Sequence, residues 1–487
     1  MKKSIKINFI FNTILKMSSF IFPLITYPYV SRILAPEGLG KVAFATSVAS
    51  YFSLFASLGI PTYGIKACAK VRDDKVNLSR TVQELLILNT ITLLVTYSVF
   101  IITINNVDKM HQYKPLLIIN SISMILTVFG VEWLYSALEE YVYISVRSFI
   151  FKIVSIVMLV LLVKEPSDYI MYSFITVFAA VGSNILNLIN IRKYVFIQPV
   201  YDYNIRQHLK PMLLLFSVTV AINIYTNLDT TMLGFMTNDF EVGLYNTAIK
   251  FKSILVSIVL SLVTVLYPRF SYYYCQKKQL EIDKLLSKTV NIICILSFGL
   301  TGFFFINAKE CILFLAGADF LGAIPSTAII TLTIPIIALA SLISYQILIP
   351  TNKEKVVVIA TVAGAITDLI LNAILIPIYG AKGVAIATLA AEIVGLGIQA
   401  YYGKTQLRNL REVRFKYFMI PLIVAIICNL GIEKILYTDN FFINLVILGI
   451  VYFGAYGTVL LLMKEPITLS LFNTIHNKIP IKLRIGK

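Results

Sequence analysis

"LAPEGLGKVAFA" occupies residues 34–45, and "NDFEVGLYNTAIK" occupies residues 238–250. With Gly40 laid on Gly243, both read as a polar acidic loop, a glycine and a small-residue helix start, 203 residues apart. Each lies between long apolar runs. A loop written twice at that distance points to an internal repeat, and the repeat decides the fold.

Working outward, the 487-residue chain is 58% hydrophobic and only 14% charged, with a mean hydropathy of +0.83. Soluble domains carry about 45–50% apolar and about 25% charged residues. Lipid is therefore the expected solvent. The formal charge of +17 comes from basic residues placed in short loops between apolar runs, so membrane orientation explains it and nucleic acid is not an expected partner. Five scattered cysteines form no CxxC pair, and the three histidines fall in or beside loops. Neither a metal site, a catalytic triad nor a cofactor motif is signalled. "GLGIQAYYGKT" (395–405) imitates a phosphate-binding loop but places five residues, not four, between Gly397 and Gly403, and follows a membrane helix rather than a strand.

A membrane-spanning helix needs about 20 apolar residues. Fourteen stretches qualify: 9–33, 41–62, 81–104, 115–137, 143–163, 168–190, 211–235, 243–267, 288–308, 322–349, 356–378, 383–402, 417–436 and 441–463. The basic N-terminus and first apolar run are read as an uncleaved first span, because the run is too long for a signal peptide. If alternate loops are assigned inside and outside, 29 of the 42 Lys and Arg fall inside and eight outside. Both termini are then cytoplasmic, in a multi-pass membrane protein.

The 203-residue offset places span 7 on span 1 and span 8 on span 2, with six helices between the copies. An even number means that both enter from the same side, so the repeat is parallel. The expected fold is an all-α membrane protein of two six-helix lobes, 1–204 and 205–404, with helices 13 and 14 and a cytoplasmic tail in 405–487. A cleft between the lobes, exposed to each side in turn, follows as the expected transport path.

Polar residues recur at helical spacing: Asn8, Asn12, Lys16 and Ser19 in span 1; Thr46, Ser50, Ser53 and Ser57 in span 2; Thr219, Asn223 and Asn227 in span 7; Asn246, Lys250, Ser253 and Ser257 in span 8. Such stripes serve helix packing or a wet cavity, and the pattern leaves both open. Charged groups are more informative, since each costs at least about 2.5–3.5 kcal/mol in mid-membrane. Lys16, Arg147, Lys152 and Lys250 are candidate ligands for an anionic substrate, with snorkelling to the headgroups as the alternative. Asn12, Asn223 and Asn227 are candidate sugar contacts. Asp229, Asp368 and Glu392 are candidates for ion coupling or gating, with a static ion pair as the alternative. Glu132 fits the static pair better.

The stretch "GVEWLYSALEEYVYISVRSFIFKIVSIVMLVLLVKEPSDYIMY" (130–172), with "LDTTMLG" (228–234) and "EVGLYNTAIK" (241–250), resembles the polysaccharide transporter family, the Wzx-type oligosaccharide flippases of the multidrug/oligosaccharidyl-lipid/polysaccharide exporter superfamily. Glu132, Trp133, Glu139, Arg147, Val163, Lys164, Asp168 and Tyr169 match. Ala35 and Ala137 stand where glycine is usual, and Leu39 where an aromatic is common. The resemblance implies a transporter rather than an enzyme, moving an undecaprenyl-diphosphate-linked repeat unit between leaflets for capsule, O-antigen or exopolysaccharide assembly. Membrane lipids, a proton or sodium ion, a polymerase and other assembly proteins would be its partners. The competing readings are a cation-coupled drug exporter, a lipid II flippase and, from another class, a membrane polysaccharide polymerase, which would normally need a sizeable outside loop.

Overall fold

The structure is a computed structural model that describes residues 5–200, 202–408, 415–436, 438, 440–466 and 468–469. The described residues are helical, with no strand among them. In lipid this is the expected outcome, because a helix satisfies its backbone hydrogen bonds within one segment. The chain is a multi-pass membrane protein. Among the described residues, ten helices are long and apolar enough to cross a membrane, or eleven if the bent pair Arg206–Ser217 and Ile222–Met236 counts as one span.

That count differs from fourteen for physical reasons. Ile5–Ser57 comprises two helices that meet at Ala35, and Glu354–Arg408 two that meet at Gly380, so each stretch counts once where the sequence predicts two spans. Each is broken by a kink rather than a loop. Ala35 takes φ 54° and ψ 176°, and Gly380 takes φ 54° and ψ −131°. Ala35 precedes Pro36, whose ring disfavours helical geometry in the residue before it. Lys114–Phe129, where the sequence predicts a span over 115–137, has only 16 residues; a left-handed Val131 separates it from the short helix Glu132–Ala137.

Two compact units follow from the packing: Met1–Asn246 with Leu371–Val384, and Thr247–Ile370 with Ala385–Lys487. In the first, Ile5–Ser57 packs against Lys75–Asn106, Lys114–Phe129, Tyr141–Leu162 and Arg206–Met236. In the second, Lys416–Ile435 and Phe441–Leu462 pack on each other and on Gln279–Ile306, around Phe303, Tyr452 and Tyr456.

The helix Tyr141–Leu162 shows how lipid sorts a sequence. Ile150, Ile153, Val157 and Leu161, at spacings of three and four, are exposed. Ile144, Ser145, Arg147, Ser155 and Leu159 are buried on the other side. The apolar face turns outward and the polar face inward, the reverse of a soluble helix. Caps close helices in the loops: Asp74 Oδ1 accepts from the Val76 and Asn77 amides at 2.9 and 3.1 Å, and Asn440 Oδ1 from Phe442 and Ile443 at 3.0 and 3.3 Å.

Candidate functional site

The two repeated loops touch each other. A methyl built on Gly40 would overlap the carbonyl oxygen of Asp239 and lie 3.0 Å from the Gly243 amide nitrogen. A methyl built on Gly243 would overlap the carbonyl oxygen of Pro36 and lie 2.9 Å from its Cα. Asp239 is the counterpart of Pro36 at the same offset of 203, so the contact is reciprocal. Only glycine lets two backbones approach this closely.

Other groups converge on the same acidic loop. The Tyr113 phenol donates to Asp239 Oδ1. Burial first, and then that hydrogen bond, push the Tyr113 hydroxyl well above its ordinary pKa, so it stays a donor at neutral pH. The Ala381 amide donates to Glu241 Oε2 at 2.7 Å, next to the left-handed Gly380. Phe44 seats on Tyr113 and Phe235 with ring centroids 4.8 and 5.2 Å away. Beside this hub, Lys41 lies over the Tyr169 ring at 5.0 Å, in a cleft of about 250 Å³ that Tyr113 and Asp239 also line.

One membrane carboxylate is held with care. Asp229, on Arg206–Met236, is buried and accepts the Tyr245 phenol and, at 2.7 Å, Asn372 Nδ2. A buried charge needs such donors, because an uncompensated one is strongly disfavoured. Tyr245 lies on Asp239–Cys275, directly after the repeated loop, and Asn372 on Glu354–Arg408. Three helices thus meet at one acidic group. Asp368 is buried four residues before Asn372 on its helix, and Glu392 is half-buried beyond the Gly380 kink.

The expected cations divide. Arg147 is 3% exposed, and both its terminal nitrogens are engaged: Nη2 pairs with Glu132 at 2.8 Å, and Nη1 donates to Ser183 Oγ and Asn184 Oδ1 at 2.8 and 3.0 Å. In the same stretch Trp133 packs its ring against Gly64, and Glu139 pairs with Arg72 at 2.9 Å. Contacts within the stretch 130–172 and from it to Gly64, Arg72, Ser183 and Asn184 tie neighbouring helices together. Lys152 is half-buried and donates to Ser18 Oγ at 2.7 Å. Lys250 keeps an exposed side chain, on the same helix as the serine stripe. Asn223 and Asn227, half-buried, bond to each other at 3.1 Å; Asn12 is half-buried. The side chain of Lys16 lies outside the described residues.

Sequence reasoning passed over Tyr113, Asp239, Glu241 and Tyr245. All but Tyr113 fall within the repeated loop and helix start, where the acidic pair and the tyrosine were visible; their partners, far along the chain, were not.

Kinked helices, a doubled glycine loop and buried charge belong to a multi-pass membrane protein that is helical throughout its described membrane spans. Solved structures with this fold include the lipid II flippase MurJ in an inward closed conformation (18% identical, TM-score 0.68, 96% of this chain and 100% of that one). An inward-facing MATE family multidrug resistance transporter of the MOP superfamily also matches (13% identical, TM-score 0.59, 80% and 95%). The chain belongs to the polysaccharide biosynthesis protein family, whose model matches residues 5–274. A putative O-antigen transporter of Escherichia coli K12 is 23% identical over 273 residues, 55% of this chain and 66% of that protein, just under two thirds of its length. A putative O-antigen transporter of Shigella dysenteriae is 24% identical over 374 residues, 75% and 90% of the two chains.

Proposed function

We propose that the protein is a flippase for lipid-linked oligosaccharide, moving undecaprenyl-diphosphate-linked repeat units from the inner to the outer leaflet of the bacterial cytoplasmic membrane, with both its termini in the cytoplasm. Membership of a family whose relatives are named putative O-antigen transporters carries this reading. The basic intramembrane residues support it, because a diphosphate needs cations and a cationic drug does not.

Two lobes, 1–204 and 205–404, enclose the path, and helices 13 and 14 with the tail of 405–487 flank it. The reciprocal contact of Gly40 and Gly243 supports a twofold repeat, and the two loops act as the outer gate. Lys250 takes the diphosphate, with Lys16 and Lys152. Arg147 serves the same site by positioning its helix, since Glu132, Ser183 and Asn184 take both its terminal nitrogens. Asn12, Asn223 and Asn227 offer amides to sugars. Asp229, with Asp368 and Glu392, couples the lobe motion to a proton or sodium ion, and Tyr245 and Asn372 report its charge to two neighbouring helices.

The test is reconstitution. Full-length protein in vesicles loaded with lipid-linked oligosaccharide on one leaflet should expose sugar to a glycosidase on the other face, and an unchanged leaflet distribution would remove the proposal. A lipid II flippase would move lipid II in the same assay and leave the oligosaccharide in place.

A further inference from the structure

We infer that the protein carries a second, separate anion site, which holds the phosphate of a membrane lipid headgroup at the end assigned to the cytoplasm. It lies in a cleft of about 940 Å³ formed by the helices Ile60–Lys70, Lys75–Asn106 and Arg206–Met236, all within the first compact unit. The inference goes beyond the transport reading and does not depend on it.

Four cations converge there: Lys66 and Lys70, one turn apart on one helix, Arg80 on the second and Lys210 on the third. The three lysines are exposed. Among the described residues, none of the four has an acidic group within ion-pair distance. Arg80 Nε is buried and has no hydrogen-bond partner among them. Basic residues are expected at a cytoplasmic face, but that rule does not require them to meet in one cavity.

The carboxylate in the cleft does not neutralise them. Glu84 is buried, and both its oxygens are taken: Oε1 by the Asn204 amide at 2.6 Å, Oε2 by His208 Nε2 at 2.7 Å and Gln207 Nε2 at 3.3 Å. His208 Nδ1 is in turn bonded to the Tyr63 hydroxyl at 2.8 Å. This chain builds the floor and leaves the rim positive. Lys and Arg arranged so, with hydroxyls at Thr62 and Thr81, suit phosphate oxygens. One wall is apolar: Pro211, Leu214 and Leu215 lead away from the cations, and Leu214 is 65% exposed. A polar rim beside an apolar wall fits a headgroup with an acyl chain attached, and cations at a membrane surface attract anionic lipid.

The experiment uses purified full-length protein in nanodiscs of phosphatidylcholine with or without phosphatidylglycerol, with bound lipid counted by native mass spectrometry. The variant combines Lys66→Ala, Lys70→Ala and Lys210→Ala; the control combines Lys277→Ala, Lys278→Ala and Lys284→Ala, three lysines assigned to the same face elsewhere. We expect the first to lose at least about tenfold of the retained phosphatidylglycerol and the control less than about twofold. Equal losses in both, or none in either, overturn the site. Soluble pyrophosphate separates the sources: no competition assigns the site to lipid, whereas saturable pyrophosphate binding lost only in the first variant, without preference for phosphatidylglycerol, overturns the lipid assignment in favour of free phosphate. Should the triple variant fold poorly, acetylation of the unaltered protein decides. Phosphatidylglycerol must protect Lys66, Lys70 and Lys210 and leave Lys277 modified, and no difference in protection rejects the inference.

Discussion

Gly40 and Gly243, 203 residues apart in the chain, each press their backbone against the other's loop: Gly40 against Asp239, and Gly243 against Pro36. The closeness depends on the missing Cβ. Gly40→Ala and Gly243→Ala should each part the loops, with an overpacking cost of about 1–3 kcal/mol. The thermal midpoint in detergent should fall for both, and export should fall with it. Unchanged midpoints would mean that the loops have slack and the contact gates nothing.

The carboxylate of Asp229 separates holding from coupling. Asp229→Asn keeps a side chain of the same shape for Tyr245 and Asn372, so stability should change little. Asp229→Ala strands both donors in a buried place, at about 1–3 kcal/mol for each group. If Asp229 carries the coupling charge, the Asn variant should fold normally and export at least about tenfold less. Normal export by the Asn variant would reduce Asp229 to a structural bond.

Arg147 and Lys250 make opposite predictions. Arg147→Ala breaks a largely buried network and should cost about 2–4 kcal/mol, less than a fully buried pair because Glu132 is half exposed. Lys250→Ala removes an exposed cation, so the midpoint should hold while export drops. Thermal scans and complementation on the same two proteins check this together. The reverse pattern would move the diphosphate to Arg147.

Ala35 sits at φ 54° and ψ 176°, a conformation that a side chain strains and glycine adopts freely. Ala35→Gly should raise stability by about 1 kcal/mol, read as a higher thermal midpoint. A lower midpoint would show that the chain-entropy cost of glycine outweighs the strain.

Much of this was legible in the sequence. The long apolar runs and sparse charge announce a helical membrane protein, because lipid admits few alternatives. The doubled loop was visible as two similar stretches, which meet in the structure at Gly40 and Gly243, and Ala35, a departure from a family glycine, falls where the structure needs a positive φ. Other features were not legible. At Ala35 and Gly380 one helix passes to the next through a single non-helical residue, with no loop whose composition would announce the break. Asp239, Glu241, Tyr113 and Ala381 meet only in space, and no local pattern connects them. A charge in a span looks the same in the sequence whether it faces a cavity or, like Arg147, pairs with a glutamate fifteen residues away.

The central claim is movement of lipid-linked oligosaccharide between leaflets, and its most direct measurement is the leaflet distribution of those intermediates in a deletion strain. The account predicts accumulation on the cytoplasmic leaflet, relieved by the wild-type chain and not by Lys250→Ala. Unpolymerised repeat units gathering on the outer leaflet instead would contradict it and identify the missing step as polymerisation.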